Sequence, residues 1–151
     1  MAEAVKTGQT EILLQAVYKN VKSSSDTILN LMPRIKDEQL KSDLTVQLSA
    51  YEAFASRTAK LLAKEGVSPL EAGTVSKLSA KWSAMMETMK DSSSAHVAEL
   101  MVESATAGVN DMLKEIREAE NTTASEESLR LARDLCRFEE KNAEDMKNYL
   151  R

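Results

Sequence analysis

A single cysteine, Cys136, leaves this chain unable to close an internal disulfide, and such usage fits a reducing compartment. Glycine occurs 4 times and proline twice in 151 residues, aromatics make up 4%, and β-branched runs are short. That combination disfavours strands and turn-rich folds and leaves an all-α protein built from long helices. No stretch approaches ~20 uninterrupted apolar residues, so no membrane span is expected. The net charge of −4 is spread over both signs with no basic block, which gives neither nucleic acid nor an anionic membrane a surface to bind. Residues 1–10 lack an apolar segment flanked by basic residues, so no signal peptide is expected, and the protein reads as soluble and cytoplasmic. Gly-rich phosphate loop, paired-cysteine motif and Ser-centred elbow are all missing. No catalytic motif is complete, and the chain reads as something other than an enzyme.

What is present is Ala, Leu, Lys, Glu, Met and Ser in helical order, over a length that suits one domain spanning 1–151. Leu13, Leu14, Val17, Val21, Ile28, Leu31 and Met32 repeat at i, i+3/i+4 and i+7, predicting a helix over 8–31 that Pro33 stops. A second helix, 37–65, is capped by Asp37 and ended by Gly66. Its core face carries Leu40, Leu44, Leu48, Tyr51, Phe54, Ala55, Thr58, Leu61 and Leu62. After Gly66-Val67-Ser68-Pro69 a third helical stretch, 70–90, carries the apolar stripe Leu78, Trp82, Met85, Met86 and Met89. Asp91-Ser92-Ser93-Ser94 then offers N-cap residues for a helix over 93–118, with Val97, Leu100, Met101, Ser104, Ala105, Gly108, Met112 and Ile116 facing inward. The last helix, 125–150, starts at Ser125 or Ser128 and lines up Leu131, Ala132, Leu135, Met146 and Leu150.

Four of these helices are each about 25 residues, near 38 Å at the α-helical rise, and matched lengths make a four-helix bundle. The segment between the second and third long helices is far too long for a turn. It can climb back along the bundle as a helical crossover. Alternatively, 70–90 runs on into the third long helix as a projecting rod, with Trp82 and the methionines covered by a partner.

Polar residues interrupt the apolar faces near the middle of each long helix. Asn20 and Ser24 do so on the first, Gln47 and Tyr51 on the second, and Ser104 on the third. On the last, Glu139 falls roughly 40° from Leu135 and about 20° from Met146, with Asn142 one turn on. A carboxylate there must be buried or point at another helix, which is costly unless it is paired. The expectation is one polar layer at mid-bundle, in which Glu139 accepts from Gln47, Asn142 or Tyr51. A separate stripe, His96, Glu99 and Glu103, stands at i, i+3 and i+7 on the flank of its helix and could share a metal ion. Cys136, at the edge of the last apolar face, reads as a small core residue.

The stretches Leu13-Leu14-Gln15-Ala16-Val17-Tyr18-Lys19-Asn20, Gln47 to Phe54, Asp91 to Met101 and Phe138-Glu139-Glu140-Lys141-Asn142 together resemble the ferritin-like superfamily. They look most like the small, uncharacterised bacterial bundles distantly related to rubrerythrin. The resemblance implies a ferritin-like four-helix bundle and oxygen or iron chemistry at a di-iron site. Such sites take a Glu from two helices and Glu-x-x-His from two others. This chain has Glu139-x-x-Asn142 in place of Glu-x-x-His, offers Gln47 and Tyr51 on the second helix, and turns Asp26 away on the first. One inward carboxylate does not neutralise two metal cations, so a di-iron centre is not expected, and no cofactor is assigned. The leading expectation is a structural or binding bundle, forming a homodimer, with any small-molecule ligand unknown. Two alternatives stand beside it. One is a protein binding iron, manganese or zinc through Glu139, His96, Glu99 and Glu103. The other is an interaction module that docks a partner through the 78–89 helix.

Overall fold

The computed structural model describes residues 2–70 and 90–150. Among them are four long helices and no strand: α1 (Ala2–Leu31), α2 (Glu38–Lys64), α3 (Ser94–Glu120) and α4 (Glu126–Met146). Short 3₁₀ turns, Met32–Arg34 and Lys147–Tyr149, follow α1 and α4. Local chemistry sets the boundaries. Pro33 lies in the turn that ends α1. The Asp37 carboxylate accepts from the backbone N–H groups of Gln39 and Leu40, capping α2. At the other end Gly66 takes φ +76°, while Gly66 N–H donates to Ala63 O and Val67 N–H donates to Leu62 O. Those paired bonds are a Schellman stop, which favours glycine at the left-handed position.

The polar contacts at the ends of the bundle give the direction of each helix. Ser94 Oγ donates to Asp37 Oδ2 at 2.9 Å, placing the start of α3 beside the start of α2. The Ser125 N–H donates to Thr10 Oγ1 at 3.0 Å, bringing the start of α4 to the N-terminal part of α1. Tyr149 donates to Asp43, so the end of α4 returns to the start of α2. The helices α2 and α3 are therefore parallel to each other and antiparallel to α1 and α4. The chain leaves α2 beside Gln15, whose amide donates to Ser68 O and accepts from Leu70 N–H, and enters α3 at the opposite end. This is the one-crossover connectivity.

The rod alternative fails at α3, which begins afresh. Residues 90–93 are non-helical, Ser93 is extended, and its Oγ accepts from His96 N–H. The helical reading of 70–90, its stripe of Leu78, Trp82, Met85, Met86 and Met89, and the docking role assigned to it lie outside the described residues.

Between the helices sits an aliphatic core in which Val17, Val21, Ile28, Leu40, Leu44, Val97, Leu131 and Leu135 are fully buried. Burial of such side chains contributes about 1.5–3 kcal/mol each before conformational entropy is subtracted. Leu150 departs from expectation and is exposed. The tighter 3₁₀ winding of Lys147–Tyr149 changes the angle per residue and carries Leu150 off the stripe that Met146 ends. Leu48, Phe54, Ala55 and Leu61 of α2 are half-buried, packed at the margin of the core.

Candidate functional site

The apolar stripe of α4 delivers Glu139 to the centre of the bundle, where it has no exposed surface. One oxygen, Oε2, accepts from Tyr51 Oη of α2 at 2.9 Å and from Ser24 Oγ of α1 at 3.2 Å. Ser24 Oγ also lies 3.4 Å from Asn20 Oδ1, so its single hydrogen is shared between the two acceptors. Asn20 Nδ2 donates to the Gly108 carbonyl of α3 at 3.1 Å. Aromatic packing holds Tyr51 in place: its ring meets Phe138 edge-on at 5.0 Å, and Phe54 lies 5.3 Å from Phe138.

Gly108 is the piece that inspection of side-chain polarity overlooks. A Cβ at that position would stand 3.2 Å from Asn20 Nδ2 and 3.2 Å from both Glu139 oxygens. The missing side chain lets α3 approach closely enough for its carbonyl to accept from Asn20. A glycine in a helix interior costs about 1 kcal/mol against alanine, and its place on the inward face of α3 was the available signal.

The rest of the expected layer surrounds a second space. Gln47, Tyr51, Ser104 and Asn142, with Ser24, line a small cavity of about 10 Å³. Glu139 therefore accepts from Tyr51, as one of the expected donors, and from Ser24; neither Gln47 nor Asn142 donates to it. Glu139 Oε1, Gln47 Oε1 and Asn142 Nδ2 are buried without a hydrogen-bond partner. On the solvent side, an open cleft of about 230 Å³ runs between α1 and α3, lined by Lys19, Asn20, Ser24, Ser104, Gly108, Asp111 and Glu115.

Burial pushes the Glu139 carboxyl up to about 7, although hydrogen bonds from Tyr51, Ser24 and Asn20 favour its ionised form. Burial, then the charge of Glu139, holds the Tyr51 phenol well above its ordinary value, so it remains a donor. The Cys136 thiol is buried and pushed up to about 11, chiefly by burial, which makes it a poor nucleophile at neutral pH.

The His96 stripe sits elsewhere. His96 is half-buried near the start of α3, while Glu99 and Glu103 are exposed. Among the described residues, no group of three or more His, Cys, Asp or Glu side chains could hold a metal ion. None of the described helices is long and apolar enough to cross a membrane.

Parallel α2 and α3, both antiparallel to α1 and α4, and a polar level at mid-height define a ferritin-like helical bundle. The chain superposes on the dodecameric thioferritin of Bacteroides fragilis, a bacterioferritin-related protein, with a TM-score of 0.67. The match covers 99% of this chain and 86% of that one at 12% sequence identity, a likeness of fold. No protein-family model matches the sequence, and no curated protein does.

Two outcomes follow for this layer. The unfolded chain releases the Glu139 proton near pH 4.5, whereas the folded one holds it to about pH 7. Between those values the native state binds more protons, so stability falls as pH rises through the window, by about 3 kcal/mol in all, and levels off above it. Urea unfolding at pH 5 and pH 8 measures that loss, and Glu139→Gln should flatten it; an unchanged slope in the variant would remove Glu139 as its source. Gly108→Ala should lower stability by about 1–2 kcal/mol despite the better helix propensity of alanine, because the pinned Glu139 and Asn20 groups leave its methyl little room. Thermal unfolding checks the sign, and a stabilised variant would mean that the contact relaxes freely.

Proposed function

We propose that this chain is a ferritin-like bundle, distantly related to the rubrerythrin group, that serves a structural or binding role in the cytoplasm without a working di-iron centre. The observation that carries this reading is the donor set around Glu139. A carboxylate, two hydroxyls and an amide meet there, one from each of Glu139, Tyr51, Ser24 and Asn20. Hard di- and trivalent cations require several anionic oxygens, and a paired site in this fold uses four carboxylates and two imidazoles. Asn142 stands where the second half of a Glu-x-x-His pair would be, and Asp26 is exposed on the far side of α1. These residues do not fit a di-iron group. A Glu139 that keeps its proton up to about pH 7 and accepts from Tyr51 and Ser24 fits a layer that fixes how the helices register against one another.

Elemental analysis of protein purified without chelator or metal-binding tag tests this reading. The expected result is substoichiometric iron, manganese and zinc, unchanged in Glu139→Gln. Stoichiometric metal that disappears in Glu139→Gln, or in His96→Ala, would overturn it in favour of a metal-binding bundle.

Self-association is the second part of the proposal, with a homodimer as its form. The dodecameric assembly of the thioferritin supports it, as do exposed apolar side chains such as Ile12, Leu29 and Val46 on the helices. Light scattering across a concentration series should give twice the chain mass; a monomer at every concentration would reject the dimer.

A further inference from the structure

We propose that the small mid-bundle cavity is a binding site for one internal water molecule, held between the Gln47 and Asn142 amides and reached from the α1–α3 cleft past Ser24 and Ser104. Three observations converge on it. The cavity measures about 10 Å³, the space that a single water needs. Two of its lining groups are buried without a hydrogen bond of normal geometry: Gln47 Oε1, an acceptor, and Asn142 Nδ2, a donor that also stands near the Tyr51 hydroxyl. Water both donates and accepts, so one molecule donates to Gln47 Oε1 and accepts from Asn142 Nδ2. It would serve both amides whichever way they were turned.

Leaving both groups empty-handed in the core would be expensive, since each forfeits its hydration without a replacement bond. Met101, Ala105 and Met146 form the apolar part of the wall. They cannot satisfy the amides, which singles out a polar occupant. Ser24 and Ser104 belong to the walls of both the cavity and the open cleft. The site is thus one hydroxyl away from solvent, and Ser24 is also a donor to Glu139. The bound water extends the polar layer from the Tyr51–Glu139 pair to Gln47 and Asn142.

Water-oxygen magnetic relaxation dispersion counts long-lived waters without interference from hydroxyl protons, and NMR cross-relaxation between water and the side-chain amides locates them. The intact protein should show a long-lived water and water cross-peaks at both the Gln47 and Asn142 amides. Ala105→Ser puts a hydroxyl into the cavity wall and should abolish the cross-peaks and one long-lived water. If that variant fails to fold, Gln47→Leu makes the same comparison by removing the acceptor and filling the space. Cross-peaks missing from the intact protein, or a water count unchanged in the folded variant, would overturn the site.

Discussion

A carboxyl group with no exposed surface, placed on the apolar stripe of α4, is the constraint around which the bundle is arranged. In an apolar setting the charged form of Glu139 is heavily penalised, so the group must be protonated, hydrogen-bonded or both. Each of the other three helices answers that demand with a different piece. The Ser24 hydroxyl and, behind it, the Asn20 amide come from α1, and the Tyr51 hydroxyl comes from α2. From α3 comes the missing side chain of Gly108 and its carbonyl. A slip of any of these helices by one turn, about 5.4 Å, would take its piece away and leave the buried carboxyl less well accommodated. Aliphatic packing, by contrast, tolerates many arrangements of similar volume. The core supplies most of the burial, and in the proposed reading Glu139 favours one register over its neighbours.

The ends of the bundle contribute differently. Asp37 caps α2 and also receives Ser94 at the start of α3, so one side chain ends one helix and ties it to another. Backbone hydrogen bonds from Leu40 and then the Ser94 hydroxyl hold its carboxyl below the usual range. Thr10 with Ser125 and Tyr149 with Asp43 tie the remaining ends. Ion pairs such as Lys141 with Asp145 and Lys147 with Glu144 lie on the surface, where pairs of this kind contribute between nothing and about 1 kcal/mol. Helix direction is thus written in short polar contacts at the ends, and height in the buried layer.

Much of this was readable in the sequence because helical periodicity is a strong signal over about 25 residues. The stripes of α1, α3 and α4, the Asp37 cap and the Gly66 stop all follow from spacing and cap chemistry. So does the convergence of Ser24, Tyr51 and Glu139, which needs only the height of each residue along its helix. What spacing could not supply is rotation about each axis and the choice among donors. Gln47 and Tyr51 are one turn apart on the same face of α2, yet Tyr51 alone donates to Glu139. Its position is held by Phe138, the residue just before Glu139, through an edge-on contact that no single-helix pattern shows. Leu150 was misplaced for the converse reason, since a 3₁₀ turn changes the period on which the expectation depended.

Two sides of the same layer have different access to solvent, and this bears on what the proposed role requires. The carboxyl itself is sealed, whereas Asn20, Ser24 and Gly108 reach the α1–α3 cleft. Lys19 and Asp111 stand on that cleft with Glu115, whose carboxyl is raised by burial and by the charge of Glu118. A cation approaching Glu139 from this side meets mixed charge at the mouth and the Asn20 amide, already committed to the Gly108 carbonyl, at the floor. To bind, it must ionise a carboxyl whose burial favours the proton, and it finds only Oε1 without a partner, since Oε2 already accepts from Ser24 and Tyr51. A protein that used this level for metal chemistry would need more anions than the described residues turn inward. A protein that used it to hold helices in register, as proposed, would need an acid that tolerates burial, donors to pair it and a glycine, which is the set that Glu139, Tyr51, Ser24 and Gly108 supply.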